Sequence, residues 1–396
     1  MGRRRLRRLL AGATVVGAVV TAMACGSFSA DTPPNSPEAG SDVTLATDDA
    51  APRDAAPRDA AESSVPADIA ACPASQGPTC LPSCARRTLH TPTVPAAYPF
   101  AITTDAQYVY WVEQTTPPGD GGPSLAYNGG ADGRVLRVAK AGGATEILAT
   151  DQPRAVAIAV DRGFVYWASH VPNQSTVWRV NVDCAAAGCP PPVSVAVGPP
   201  GERIDQLVRA AEGVLFLKGG GGSAFRLPAG PAQVLAPVGS ATGEFAALSV
   251  ATDAVYETGR THPFVERIGI DGTSGLGLPI VPRDGGDPGF INSTSDCTNV
   301  WGVWGPGTKL YRFAPDGAVS ALGTARNHGA YGMRADATFV YVAAENAGGV
   351  FAIDKTTGNE TSLYAGNVWS VAVDTDGVYW GEHGGAQAGA LYMLVK

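Results

Sequence analysis

The sequence predicts an all-β protein, and more specifically a seven-bladed β-propeller. A valine followed by an aromatic residue recurs along most of the chain, as in YVYW (108–111), FVYW (164–167) and GVYW (377–380). An apolar run precedes each of these copies and a short strand-like segment follows it. The 396 residues include 50 Gly and 31 Pro, and only 16% are charged, so turns are abundant and long amphipathic helices are not expected.

Seven copies of the valine pair, in six of which the partner is aromatic, define the repeat. They are Val109-Tyr110, Val165-Tyr166, Val214-Leu215, Val255-Tyr256, Val300-Trp301, Val340-Tyr341 and Val378-Tyr379, spaced 38 to 56 residues apart. Five copies carry an aspartate four residues before the valine: Asp105, Asp161, Asp296, Asp336 and Asp374. Aspartate at this place is typical of a tight turn, because its carboxylate accepts backbone N–H bonds two residues on.

Each unit contains four candidate strands. In the second unit an apolar run (RAVAIAV, 154–160) precedes the turn, as expected for a strand buried near a central axis. The valine pair forms the second strand. A third follows, as in RVLRVAK (134–140), and a fourth, as in TEILAT (145–150), ends the unit. Four short strands in about 40 to 45 residues are the signature of a propeller blade.

The number of strands in the last unit favours seven blades over six. The chain ends in ALYMLVK at residue 396, one strand short of a complete unit. The segment RTLHTPTV (87–94) precedes the first unit and can supply that strand, which would close the ring and leave no open sheet edge. Six blades remain the alternative, because VLFLKG and VYETGR in the middle of the chain diverge from the pattern. The propeller is expected to span residues 87–396.

The repeats resemble those of a known family of propellers. VYW followed by a small or charged residue, and then a strand such as RVLRVAK, resembles the YWTD-type repeats of lipoprotein-receptor propellers. The pattern is also similar to repeat-bearing lipoproteins of bacterial envelopes. The resemblance implies a propeller fold but no particular activity, because propellers host unrelated functions. No copy here reads YWTD in full, and YWTD propellers resemble six-bladed rings.

Residues 1–24 have the layout of an export signal: five arginines, an apolar run and small residues before Cys25. AMAC, followed by Gly26 and Ser27, resembles the lipobox at which bacterial lipoproteins are cleaved and acylated. The resemblance implies lipidation at Cys25 and an outer-membrane-type lipoprotein of the cell envelope. Plain secretion is the alternative, since Ala22 and Met23 depart from the usual lipobox.

Residues 25–70 are rich in Pro, Ala, Asp and Ser, a composition that predicts a disordered tether. A Cys-rich lead-in follows at 71–86. Beyond Cys25 the chain has six cysteines, an even number that in an exported protein indicates three disulfides. Cys184 and Cys189 are the expected local pair. Cys297 is then expected to bond one of three N-terminal cysteines, the other two pairing together: Cys72, Cys80 and Cys84.

The charge pattern excludes one class of partner. All 36 acidic residues lie beyond position 24, whereas five of the 28 Lys and Arg residues lie before it. The mature chain is therefore strongly acidic and has no basic cluster. Nucleic acids and anionic lipid surfaces bind through cationic side chains that replace released counterions, so neither is expected as a partner. Membrane association is expected only through the N-terminal lipid.

Candidate binding residues lie where second strands end and first strands begin, since in a propeller these points share one face. A concave ring top of this kind is the usual place for a ligand. The candidates for ligand binding are Arg154, Tyr331, Trp369, Glu113 and His170. Those for a divalent metal, the only cofactor considered, are His328, Glu345, Glu382 and His383. The competing interpretation is that these polar residues are simply solvated.

The sequence therefore favours a binding or interaction module of the cell envelope, with a protein, peptide or glycan as partner. No catalytic residue is assigned, because neither a GxSxG elbow nor a reactive free thiol is evident. The alternative is an enzyme, a metal-dependent lyase or lactonase using the four metal candidates. A third possibility is an inert head on a tether.

Overall fold

The computed structural model describes residues 76–396 apart from a set of gaps. The gaps are 82, 116–132, 172–173, 185–189, 211–214, 220–222, 228–232, 236–237, 239–244, 252–253, 260–263, 270, 272, 274–277, 280–289, 305–309, 323–329, 345–347 and 385–387. Residues 1–61 and 62–396 are separate units, and all described residues belong to the second. The predicted signal peptide (1–24), the tether (25–70) and the first part of the lead-in therefore lie outside the described residues.

The described residues form 28 strands in seven sheets. The first strand, β1 (Arg86–His90), belongs to sheet 7. Sheet 1 contains β2 (Ala97–Thr104), β3 (Tyr108–Thr115), β4 (Arg134–Ala139) and β5 (Glu146–Ala149). Sheet 2 contains β6 (Ala155–Asp161), β7 (Phe164–Val171), β8 (Gln174–Asn181) and β9 (Val193–Val197). Sheet 3 contains β10 (Ile204–Arg209), β11 (Leu215–Gly219) and β12 (Ala224–Arg226), after which comes the short β13 (Gln233–Val234).

The remaining sheets follow the same order. Sheet 4 contains β14 (Phe245–Val250), β15 (Ala254–Gly259), β16 (Phe264–Gly269) and β17 (Leu278–Pro279). Sheet 5 contains β18 (Phe290–Ser295), β19 (Val300–Trp304), β20 (Leu310–Phe313) and β21 (Val319–Leu322). Sheet 6 contains β22 (Ala330–Ala335), β23 (Phe339–Ala344), β24 (Gly349–Asp354) and β25 (Glu360–Tyr364). Sheet 7 contains β26 (Val368–Val373), β27 (Gly377–Glu382) and β28 (Ala390–Val395).

The sheets are arranged as a β-propeller, which confirms the predicted all-β class. The first strand of each sheet contacts the first strand of the next, and β26 of sheet 7 contacts β2 of sheet 1, so the cycle closes. Side chains of neighbouring sheets pack together, as Tyr110 of sheet 1 does with Trp167 of sheet 2. The aromatic residues recur in the sequence because each sheet must bury a face against the next.

The prediction of seven blades is wrong, and the alternative of six holds, because the third unit does not form a complete blade. Within the described residues sheet 3 has three strands, because β13 pairs in parallel with β9 of sheet 2 instead. The six other sheets have at least four strands, so the structure has six complete blades. The sequence before β13 contains Pro228 and Pro231, which lack the N–H that an antiparallel fourth strand would donate to β12.

The N-terminal strand completes the last sheet, as predicted from RTLHTPTV. β1 pairs antiparallel with β28, Arg86 opposite Leu394 and Thr88 opposite Tyr392. Ring closure therefore joins the two ends of the propeller sequence through a ladder of backbone hydrogen bonds.

The propeller has two distinguishable faces. On the turn face each first strand turns into the second, as at Asp105 and Asp336. On the loop face the second strands end and the first strands begin, as at Glu113 and Ala97. The lead-in attaches to the turn face: the Gly77 N–H donates to Thr338 Oγ1 at 3.1 Å.

Disulfide bonding partly follows the prediction. Cys80 and Cys84 are bonded to each other, as expected for two of the N-terminal cysteines. Cys184 and Cys297 are also disulfide-bonded. Cys189, the expected partner of Cys184, lies outside the described residues. Cys297 was expected to bond Cys72, Cys80 or Cys84. Cys80 and Cys84 are bonded to each other, and Cys72 lies outside the described residues. In the described part of the chain no helix has the length and apolar character needed to cross a bilayer.

Candidate functional site

A β-bulge lies near the loop face in the first strand of all seven sheets. At this point the register with the second strand shifts, and one residue of the first strand has no direct partner. The bulged residues are Phe100, Val156, Asp205, Ala246, Ile291, Tyr331 and Trp369, and we name this set the bulge ring. Bulges redirect side chains and are common beside functional sites. One residue per sheet is thus singled out at the inner edge of the loop face.

Aromatic rings cluster where sheets 7 and 1 meet. The Phe100 and Trp369 rings, both from the bulge ring, have centroids 5.6 Å apart. Tyr98 lies 6.3 Å from Phe100 and 4.2 Å from His383, which in turn lies 6.1 Å from Trp369. Trp369 is 7% exposed, whereas the other three rings are half-buried. This aromatic quartet offers ring edges and faces to an apolar group on the loop face.

Basic side chains cluster on the neighbouring part of the loop face, on sheets 2 and 3. The His170 N–H donates to the Arg154 carbonyl at 3.2 Å, and His170 Nδ1 lies 3.1 Å from Ser175 Oγ. Ser175 Oγ also accepts the Ile204 N–H, at 3.0 Å, which brings Arg203 beside the same serine. Burial lowers the pKa of His170, and the charges of Arg203 and Arg154 lower it further, so this imidazole is neutral at pH 7.

Glu113 lies at the end of β3 but faces neighbouring strands. It is 1% exposed, with Oε2 at 3.2 Å from His90 Nε2 and Oε1 bound by Arg134. Burial alone would raise the pKa of Glu113, but the hydrogen bonds from His90 and Arg134 outweigh it and the pKa is lowered. Since His90 is the last residue of β1, Glu113 links sheet 1 to the strand that closes sheet 7.

We expect Glu113→Gln to reduce the free energy of unfolding by about 2 kcal/mol at pH 7, because a charged hydrogen-bonded group is lost from a buried site. Since the folded-state pKa lies below the ordinary value of 4.5, the stabilisation by Glu113 is present above that value and is lost as the pH falls through the folded pKa. Urea unfolding at pH 7 and at acid pH measures both effects.

The matched control for Glu113 is Glu146→Gln. Glu146 also pairs with an arginine, Arg137, but is 36% exposed, so its loss is expected to cost less than about 1 kcal/mol. Equal effects of the two substitutions would contradict a structural role for Glu113 and restore it as a ligand-binding candidate.

The four metal candidates are only partly described. His328 and Glu345 lie outside the described residues. Glu382 and His383 are adjacent in sequence but have different partners, since Glu382 accepts a hydrogen bond from Tyr392 Oη at 3.0 Å while His383 joins the aromatic quartet. Among the described residues no three His, Cys, Asp or Glu side chains are grouped to hold a metal ion.

The comparisons with known proteins identify the fold. No protein-family model and no curated protein matches the chain. Among solved structures, an inactive variant of virginiamycin B lyase from Staphylococcus aureus, with quinupristin, has a TM-score of 0.60, with 11% identity, 78% of this chain covered and 99% of that one. A streptogramin B lyase gives 0.56, with 13% identity and coverage of 78% and 97%. The WD40 propeller domain of Doa1 gives 0.54, with 11% identity and coverage of 78% and 96%. At such identities the likeness is one of fold.

The bulge ring contains two of the predicted binding residues and adds others. Tyr331 and Trp369 occupy equivalent bulge positions, Arg154 lies two residues before Val156, and Phe100 was not predicted. The sequence does carry a signal for the ring, because in five sheets the bulged residue lies five positions before the turn aspartate, as Trp369 does before Asp374.

Proposed function

We propose that this protein is an exported β-propeller binding module that uses its loop face to bind a peptide, protein or glycan in the cell envelope. The bulge ring is the observation that carries the proposal. It places one bulged residue per sheet at the inner edge of one face, with the aromatic quartet beside it. Buried aromatic and charged anchors, rather than total area, supply most of the affinity in such interfaces.

The position of the lead-in supports this use of the loop face. Gly77 bonds to Thr338 on the turn face, and Leu81 and Cys84 pack into the core between sheets 6 and 7. Cys80 Sγ lies 3.8 Å from the carbonyl oxygen of Val395, again at the turn face. The described part of the lead-in is therefore attached on the face opposite the bulge ring.

The function is tested by comparing partner capture from the envelope by the wild-type chain and two variants. Arg154→Ala combined with Tyr331→Ala removes loop-face candidates, whereas Arg162→Ala removes an arginine on the turn face that is 61% exposed. We expect crosslinked partners to be lost with the first variant and retained with the second. Cys25→Ala should move the protein out of the membrane fraction. Equal capture by both loop-face and turn-face variants would refute the proposed face.

The second proposal is a metal-dependent lyase or lactonase with its site on the same face. Its support is the likeness to a virginiamycin B lyase and a streptogramin B lyase, which extends over 78% of this chain in each case. The same capture experiment, run with and without a chelator, separates the proposals. If the protein is a binding module without a metal, it retains its partner after chelation. If the loop face holds a metal at His328, Glu345, Glu382 and His383, chelation removes the metal and the binding that depends on it.

A further inference from the structure

We infer that the loop face holds a carboxylate at Arg154, with the apolar group that carries the carboxylate placed against Phe100 of the bulge ring. The inference rests on the proposed function, because it assigns the chemical class of ligand to the same face. The carboxylate belongs to a free peptide terminus or to a small organic acid. A peptide amide or a neutral sugar lacks the group that the arginine recognises.

Hydrogen bonds across two sheets fix the surroundings of Arg154. Its carbonyl accepts the N–H of His170, and the His170 ring reaches Ser175 Oγ. The same hydroxyl accepts the N–H of Ile204, the residue after Arg203. The backbone on both sides of the arginines is therefore held in place, so a ligand there meets an organised site and loses less affinity to ordering.

Of the two described arginines beside His170, Arg154 and Arg203, Arg154 is the one available to an anion. Arg203 is paired with Asp205 at 3.2 Å, and Glu202 accepts a hydrogen bond from Ser223. Arg154 is half-buried, and no carboxylate pairs with it among the described residues. A guanidinium presents a planar fork of donors that matches a carboxylate, and such pairs are among the stronger hydrogen-bonded contacts in proteins.

Backbone strain supports a role for the side chain at this position. Arg154 has a φ of +51°, in the left-handed region where glycine is favoured. A residue kept in a strained conformation is common at functional sites. Arg162, at the other end of the same strand, has a similar φ of +45°, but it lies on the turn face 4.0 Å from Asp161. Arg162 therefore provides a control with matched strain and a different face.

The adjacent apolar surface defines the rest of the ligand. Val156 of the bulge ring follows Arg154 by two residues, and Phe100 packs against the core cluster that contains Val156. Phe100 also contacts Trp369 of the aromatic quartet. A carboxylate with a neighbouring ring or branched alkyl group fits both parts of this surface, whereas a strongly hydrated acid fits only the first.

The test uses the mature full chain and N-acetylphenylalanine as the probe, with its amide and glucuronate for comparison, in calorimetric titrations. We expect N-acetylphenylalanine to bind and its amide, which differs in the charge, to bind at least about tenfold more weakly. Glucuronate, an acid without an apolar ring, is also expected to be weaker. Equal binding of acid and amide would overturn the inference, as would no binding of the acid.

Variants assign the effect to Arg154. Arg154→Gln should lower the affinity for N-acetylphenylalanine by about tenfold or more, and Arg154→Lys should retain part of that affinity. Arg162→Gln should leave the affinity unchanged. Arg154→Gly should raise the thermal midpoint by relieving the positive φ while abolishing binding, a result that a purely structural arginine would not give. If the probe fails while partner capture still depends on the loop face, the carboxylate inference falls and the proposed function stands.

Discussion

Replacement of Asp336 by asparagine is expected to reduce the free energy of unfolding by about 3 to 5 kcal/mol, the usual cost of breaking a buried ion pair. Asp336 is completely buried, and Lys396 Nζ lies 2.7 Å from its Oδ2. The same carboxylate accepts the N–H of Thr338 and Phe339 and the hydroxyl of Tyr341. Asparagine retains part of the turn but leaves the Lys396 ammonium buried without its counter-charge.

The effect should be large because the pair joins two sheets. Lys396 follows β28 of sheet 7, whereas Asp336 lies in the first turn of sheet 6. The same type of link recurs between the lysine after a third strand and the turn aspartate of the preceding sheet. The other examples are Lys355 with Asp296 and Lys140 with Asp374. Each link joins two neighbouring sheets at the turn face.

The matched control is Asp105→Asn. Asp105 accepts the N–H of Gln107 and Tyr108 and the hydroxyl of Tyr110, as Asp336 does with its own neighbours, but no described lysine contacts it. Its loss is expected to cost about 1.5 to 3 kcal/mol, the range for hydrogen bonds to a charged group. Urea unfolding of both variants measures the difference, and equal losses would show that the lysine contributes nothing.

The contacts of the turn aspartates were predictable from the sequence only in part. The aspartates were predicted as turn residues, and the backbone bonds at Asp105, Asp296, Asp336 and Asp374 confirm it. Their lysine partners were not predicted, because Lys396 lies 60 residues from Asp336 and belongs to another sheet. Local turn chemistry is encoded within a few residues, whereas a contact between blades depends on the register of two sheets.

The site was predictable to a smaller extent than the fold. The loop face, with Arg154 and Trp369 on it, followed from strand order alone. The sequence did not show that Glu113 turns toward Arg134 and His90, because that depends on which strand closes the ring. The bulges were not predicted either, because a shift of one residue in register leaves the apolar pattern unchanged. Their trace in the sequence is the spacing of five residues between the bulged position and the turn aspartate, which five sheets share.

Removal of β1 is expected to destabilise the propeller more than Asp336→Asn, Asp105→Asn or Glu113→Gln. A chain beginning at Thr91 loses the ladder between β1 and β28, the buried side chain of Leu89 and the His90 contact to Glu113. We expect a loss of about 5 kcal/mol or more, from the ladder bonds and from a buried leucine together. An open ring should also unfold in more than one step, because sheets 7 and 1 are no longer joined by that strand.

The control chain begins at Ala85, which removes the Cys80–Cys84 lead-in but retains β1 and the bond from the Val395 N–H to the Ala85 carbonyl. It should lose much less stability than the shorter chain in thermal and urea unfolding. A synthetic peptide of residues 85–92, added to the chain beginning at Thr91, should restore stability in proportion to its concentration, because it binds the folded ring and not the unfolded chain. If both truncated chains unfold alike and the peptide has no effect, ring closure by β1 does not hold the propeller together.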